Sequence, residues 1–553
     1  MKTIRKMLLC LAVCLFCLPA LSACKGRDRH EVAADPTKTQ LYVLNFNGGF
    51  GSEWLDRLKT KFEALHAEDV YETGKKGVQI MPDNIKLLGS DIQSRLLNAT
   101  NEVFFTQNVP LYDYIIQDLF LDISDIATQP LTKYGESKSI EDKMTPQEVE
   151  FLKYGGKYYA LPHYSVYMGI VYDIDLFENE GLYLVDGGGY SVPGAFADGV
   201  YTGAGRLSKG PDGEFDTHDD GMPATYDEFF ALCDYMAHQR GITPFNWMGR
   251  NSGTYFHDVM VSAWADYEGA AQMGLNFSFD DTAKSLVSVS GGGAISPKGD
   301  MAITPANGYE LGAQAGLYHS IDFLSRVVKG DGYSNDSKTG SLTYTHMQAQ
   351  NDFLYSSYNG SQSIAMILEG VWWENEANAT FTAMEKFGMG KYDRRFGFLP
   401  FPKADGSRSG KQTVFDGKVA FGMIAKATPT FKHALAKEFL QFCYTQESLA
   451  EFSVLTNSFR DLDYTLSDAQ VEQLSGFGKY LYKLHQSDNF DIVYPYSQSE
   501  KYIKNSSVID SMMRSSYVDG KPVSIADNVK LYTPAELFSG IRDYRAGLWS
   551  TLA

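Results

Sequence analysis

Ser361-Gln-Ser-Ile-Ala-Met-Ile-Leu-Glu-Gly-Val-Trp-Trp-Glu-Asn-Glu376 runs a continuous apolar stretch into two adjacent tryptophans. Ile364 to Leu368 has the composition of a strand covered on both faces, and Gly370 breaks the run at its carboxyl end. Open α/β sheets meet their ligands at that end of the strands. Trp372 and Trp373 follow among Glu369, Glu374 and Glu376, so flat apolar faces stand beside hydrogen-bond acceptors. A pyranose needs both: its C–H face stacks on an indole, and its hydroxyl rim donates to carboxylates. Adjacent residues rarely face the same way, so one indole is expected outward and the other in the core. Which is which stays open.

Upstream, strand and helix patterns alternate. Leu41 to Leu44 is a short buried strand. Asn45-Phe-Asn-Gly-Gly-Phe-Gly51 is a glycine-rich loop, and Ser52 opens a helix with Trp54, Leu58, Phe62 and Leu65 on one face. No Lys-Ser/Thr follows those glycines, so the loop is not a phosphate loop; it can present backbone N–H groups and Phe50 instead. Val78 to Leu88 reads as the next strand, Asp91 to Leu97 as a helix, and Glu102 to Val109 as a third strand ending in Thr106, Gln107 and Asn108. The alternation predicts a parallel α/β sheet, with those three polar residues where strand becomes loop.

Lys2, Arg5 and Lys6 precede an apolar segment, Leu8 to Pro19, that is too short to span a bilayer, and Leu21-Ser-Ala-Cys24 follows. This pattern resembles a bacterial lipobox. The resemblance implies a signal peptide over 1–23, diacylation of Cys24, a tether over 24–39, and anchoring on the extracytoplasmic face of the cell membrane, since two acyl chains hold a protein there stably. The chain has 553 residues, is 44% hydrophobic and carries a formal charge of −19. That length predicts more than one lobe, and that acidity argues against nucleic acid as a partner. Beyond the leader and Cys24, the cysteines are Cys233 and Cys443, both in helix-like apolar patterns and expected to be buried free thiols, with a single long-range disulfide as the alternative.

Gly155-Gly-Lys-Tyr-Tyr-Ala-Leu-Pro-His-Tyr-Ser-Val-Tyr-Met-Gly-Ile-Val-Tyr-Asp-Ile-Asp-Leu-Phe177 resembles the hinge-crossing segment of the extracellular solute-binding proteins of ABC importers, in particular the carbohydrate-binding, maltose-binding-protein-like group. Thr225-Tyr-Asp-Glu-Phe229, Ile364 to Trp373, Arg395-Phe-Gly-Phe-Leu-Pro-Phe-Pro402 and Ala434 to Phe442 resemble that family's later segments in the same order. The resemblance implies a type II periplasmic-binding-protein-like α/β fold. Two lobes would be joined by a hinge that the chain crosses more than once, with the ligand cleft between them. Lobe one would hold 40–164 and about 419–460; lobe two would hold 165–418 and about 461–553. By position in the family pattern, Phe50, Thr106, Gln107 and Asn108 would line the first lobe. Trp247, Tyr255, Glu369 and Trp372 would line the second, and Arg460 would reach in from the returning segment. The implied protein is a monomer that hands a carbohydrate, an oligosaccharide, to permease subunits, with no catalysis and no cofactor.

The chain departs from the compact members in a glycine-rich insert, 180–223. Within it Asp212, Asp216, Asp219 and Asp220 fall in nine residues. Clustered carboxylates beside glycines suit a hard cation, so a structural calcium site is set against a solvated acidic turn; the spacing is not that of an EF-hand. No His-Glu-x-x-His or Gly-x-Ser-x-Gly motif occurs. A secreted glycoside hydrolase remains the rival reading, because an acidic, aromatic cleft with two carboxylates serves that chemistry as well. A peptide ligand remains the alternative cargo, since aromatic platforms with carboxylates also suit amines.

Overall fold

The computed structural model describes residues 33–87, 90–356, 358, 362–406 and 410–552. The leader, Cys24 and the first part of the tether lie outside the described residues.

Nine strands make the two main sheets: β1 (Thr39–Asn45), β2 (Val78–Asn84), β3 (Val103–Gln107), β4 (Ala160–Pro162), β5 (Met168–Asp173), β6 (Thr243–Asn246), β7 (Ile364–Gly370), β8 (Phe396–Leu399) and β9 (Ala420–Ile424). The first sheet has the order β2-β1-β3-β9-β4 and the second β6-β7-β5-β8. Parallel pairing of β1 with β2 and β3 requires crossovers. Helix α1 (Glu53–Leu65) supplies the first, burying Trp54, Leu55, Leu58 and Phe62 on one face. Strand β9 returns late in the chain and runs antiparallel to both β3 and β4. In the second sheet β6 and β7 are parallel, whereas β5 lies antiparallel to β7 and β8. Three further helices position the site: α2 (Tyr226–Asp234), opened by a Thr225–Glu228 capping box, α3 (Ser252–Ser278) and the single turn α4 (Trp373–Glu376).

Strand β7 is the apolar run of the opening stretch, and Ala365 to Gly370 are all buried. The chain turns at Val371, so the two tryptophans diverge. Trp373 is fully buried against Phe396 and Phe353, at ring-centroid distances of 5.0 and 5.8 Å. Trp372 folds back across Gly370, where a Cβ would come 2.2 Å from its ring. Only glycine leaves room for the indole there.

The chain passes between the sheets at Pro162 to Met168 and again just before β9. The Asp416 carboxylate ties these crossings together, accepting the Val166 N–H at 2.7 Å and the Lys418 N–H at 3.2 Å. The His163 amide donates to the Ala420 carbonyl (2.9 Å) and the Ser165 amide to the Phe459 carbonyl (3.1 Å), which joins a third segment to the same place. The segment after 461 packs on lobe-two elements, as with Phe477 on Trp373 at 5.8 Å, and also touches lobe one, where Tyr494 and Tyr496 pack on Phe151 at 5.5 and 5.1 Å. Cys233 and Cys443 are buried free thiols.

Candidate ligand-binding cleft

The carboxyl end of β3 and the loop after β1 face the turn after β7 across a cavity of about 220 Å³. Phe50, Gln107, Tyr255 and Trp372 line it, four of the residues expected from the sequence. Phe50 and Gln107 are both held by Tyr164, whose ring lies 4.5 Å from that of Phe50 and whose hydroxyl donates to Gln107 Oε1 at 3.1 Å. Tyr255 comes from the first turn of α3 and Trp372 from the end of β7. A Cβ placed on Gly49 would sit 3.3 Å from the Trp372 Cβ, so the glycine-rich loop of the first lobe reaches the indole of the second.

Sequence reasoning missed several lining residues, among them Met248, Asn251, His346 and Lys418. Lys418 lies on the crossing segment, with its ammonium 4.9 Å from the Trp372 ring and 3.1 Å from Asp258. Burial would raise the Asp258 carboxyl, but Lys418 and then His257 bring it down to about 2. Glu376, present in the opening stretch as a flanking acid, also lines the cavity.

Five expected residues are placed elsewhere. Glu369 is 1% exposed and sits behind the wall, where one Gln350 amide nitrogen donates to it at 3.1 Å and to Glu376 at 3.2 Å. Burial and then the Glu376 charge push the Glu369 carboxyl up to about 8, so it is largely protonated at neutral pH. Burial also raises Glu376. Thr106 is fully buried inside lobe one, because strand side chains alternate and Gln107 takes the cleft side. Asn108 turns out of the strand in the left-handed region (φ 55°) and is exposed, and its amide donates to the Lys418 carbonyl at 2.8 Å. Trp247 is fully buried against Phe256, and the next residue, Met248, faces the cavity instead. Arg460 is turned inward: its guanidinium donates to the Cys443 carbonyl at 3.0 Å and stacks over Phe452 and Tyr444.

The acidic loop also differs from expectation. Asp212, His218 and Asp219 present donor atoms within 4.8 Å of one another. Asp216 instead pairs with Arg206 at 3.2 Å, and Asp220 accepts the Asp216 amide at 2.9 Å. The four aspartates therefore do not form one cluster, and the imidazole that joins the group is a donor seldom used by calcium.

No protein-family model matches the chain, and no curated protein does. Solved structures do. The apo form of RafE from Streptococcus pneumoniae superposes with a TM-score of 0.52 at 14% identity, covering 94% of this chain and 100% of that one. Maltose-bound MalE3 of T. maritima gives 0.52 at 13% identity, covering 92% and 100%. A chitin oligosaccharide binding protein gives 0.51 at 15% identity, covering 93% and 99%. The chain therefore has the two-lobed type II fold of maltose-binding-protein-like solute-binding proteins, the architecture expected from its five ordered motifs.

Proposed function

We propose that this chain is the lipid-anchored solute-binding protein of an ABC importer, which captures an oligosaccharide between its lobes and presents it to the permease outside the membrane. One observation carries the reading. A cavity between the two sheets is walled by three aromatic rings, Phe50, Tyr255 and Trp372, with Gln107, Glu376 and Lys418 around them. Rings bind the apolar face of a sugar and the polar groups bind its hydroxyl rim. Contacts made to both lobes exist only when the lobes are closed, so the ligand shifts the hinge equilibrium towards the form that docks. The structural neighbours named above include a maltose-bound protein and a chitin oligosaccharide binding protein, which supports a saccharide as cargo. The lipobox at Cys24 supports the anchor and the extracytoplasmic location.

A glycoside hydrolase needs two carboxylates flanking the bond to be cleaved. Of Glu369, Glu374 and Glu376, Glu376 alone is among the lining residues, while Glu369 and Glu374 are each 1% exposed, which favours the binder. Thermal melting against mono- and oligosaccharides, with peptides as controls, tests the proposal. A ligand at a hundred times its dissociation constant adds about 2.7 kcal/mol, a shift that melting resolves. Stabilisation by a sugar that is recovered intact supports the binder. Cleavage of that sugar would favour the hydrolase, and stabilisation by peptides alone would change the cargo.

A further inference from the structure

The insert gathers a set of donors that the cleft does not use. Asp212, His218 and Asp219 face one another with donor atoms within 4.8 Å. Two metal–donor bonds of about 2.1 Å span roughly 4 Å, so one ion joins all three with a small inward shift. The loop is closed tightly around them: Gly210 is left-handed (φ 68°), and a Cβ there would lie 2.2 Å from the Asp219 carbonyl oxygen. Both carboxylates are buried with no ion pair among the described residues. The hydrogen bonds they accept come from neutral donors. Asp219 takes the Asp212 amide at 2.9 Å and the Thr217 hydroxyl at 2.7 Å, while Asp212 takes the Glu214 amide at 2.7 Å and the Asn489 side chain at 3.0 Å. Two buried like charges so placed repel, and a cation between them removes that cost.

A second observation comes from outside the loop. Gln412 is 3% exposed on the short strand Gln412–Phe415, and its side chain reaches the His218 imidazole. Neither its Oε1 nor its Nε2 makes a hydrogen bond of ordinary length and angle among the described residues, and the same holds for His218 Nε2. Buried polar atoms left in that state cost free energy, and an ion enclosed by them recovers it. With the Gln412 amide oxygen as the fourth donor, the set is two carboxylates, one imidazole and one amide. Calcium takes about six to eight oxygens, whereas zinc accepts imidazole nitrogen and carboxylate oxygen together in a tetrahedral set. His218, Thr217 and Asp220 also line a cavity of about 460 Å³, which gives an ion its approach from solvent.

We infer that Asp212, His218, Asp219 and Gln412 form a site for a divalent transition ion of the zinc type, which staples the insert to the strand that runs into the Asp416 crossing. The inference is independent of the saccharide reading. Its test is calorimetric titration of the purified, chelator-treated protein with zinc and, separately, with calcium, with thermal melts of the same samples, repeated on His218→Ala and Gln412→Ala. The expected result is one zinc ion bound per chain, a melting temperature raised by several degrees, no effect of calcium, and a zinc affinity at least tenfold lower in both variants. His218 lies in a surface loop, so its variant reports even where the buried Gln412 variant does not fold. Zinc affinity undiminished in either folded variant would place the ion elsewhere and overturn the site. Stabilisation by calcium alone, or binding of neither ion, would overturn it as well.

Discussion

Replacing Trp372 by alanine should weaken saccharide binding by roughly 1–3 kcal/mol. The indole is 7% exposed, lies across Gly370 and has Lys418 over its ring, so its orientation is already set before a ligand arrives. Covering one face of a pyranose removes on the order of 50–100 Å² of apolar surface from water, which at about 25 cal/mol per Å² gives about 1.2–2.5 kcal/mol, most of that range. Aromatic stacking geometry supplies the remainder. The dissociation constant should therefore rise roughly 5- to 150-fold. Isothermal calorimetry with the tightest saccharide found by melting measures it. Trp373→Ala is the internal control, because that ring packs on Phe396 and Phe353 and does not line the cavity. It should lower stability by about 3–5 kcal/mol with little change in the affinity of the folded fraction. Unchanged affinity in Trp372→Ala, or a larger loss of affinity in Trp373→Ala, would refute the assignment of the cleft-facing ring.

Other outcomes follow from the same geometry. Glu369 has its carboxyl raised from its ordinary 4.5 to about 8, so the folded state holds that proton more tightly than the unfolded chain; the stabilisation is complete below about pH 4.5 and is lost as pH rises to about 8. Denaturant melts across that window should show a steeper loss in the wild type than in Glu369→Gln, and parallel curves would contradict the buried protonated state. Gly370→Ala places a methyl 2.2 Å from the Trp372 ring and should displace the indole, weakening saccharide binding by calorimetry; full affinity would show that the ring has room to move. Calcium added to chelated protein should leave the melting temperature unchanged, because Asp216 is engaged by Arg206 and the aspartates are not gathered; a rise of several degrees would show that the loop reorganises around the ion.

The strands and helices of the sheets were legible because periodicity reports burial directly, while the two lobes followed from chain length and from the family resemblance. The apolar run at Ile364, the amphipathic face after Ser52 and the strand ending in Gln107 all formed the elements their patterns predict. Gln107 and Trp372 were legible because a strand end delivers them, whereas Phe50, in a loop, and Tyr255, on a helix, were placed by their position in the family pattern. One residue of register separates Thr106 from Gln107 and Trp247 from Met248, and the type of side chain does not settle which of two neighbours turns inward. Arg460 was misplaced for a different reason: Asn457 adopts a left-handed conformation (φ 50°) just before it, in the turn that leads it into the lobe. Lys418 and Asn251 sit in a crossing segment and a loop that carry no periodic signal, and His346 is the first residue of a helix (His346–Ser356), so tertiary packing brings all three to the cavity.

The adjacency of Trp372 and Trp373 also makes the protein its own optical reporter. Of six tryptophans, Trp372 is the one that lines the cavity, beside a lysine ammonium on the segment that crosses between the sheets, while its neighbour is sealed among phenylalanines. Emission from the sealed ring stays constant as the lobes part, whereas that from the cleft ring responds to solvent and to the departing charge. Intrinsic fluorescence should thus follow capture and release in real time without a label, with Trp372→Phe as the silent control.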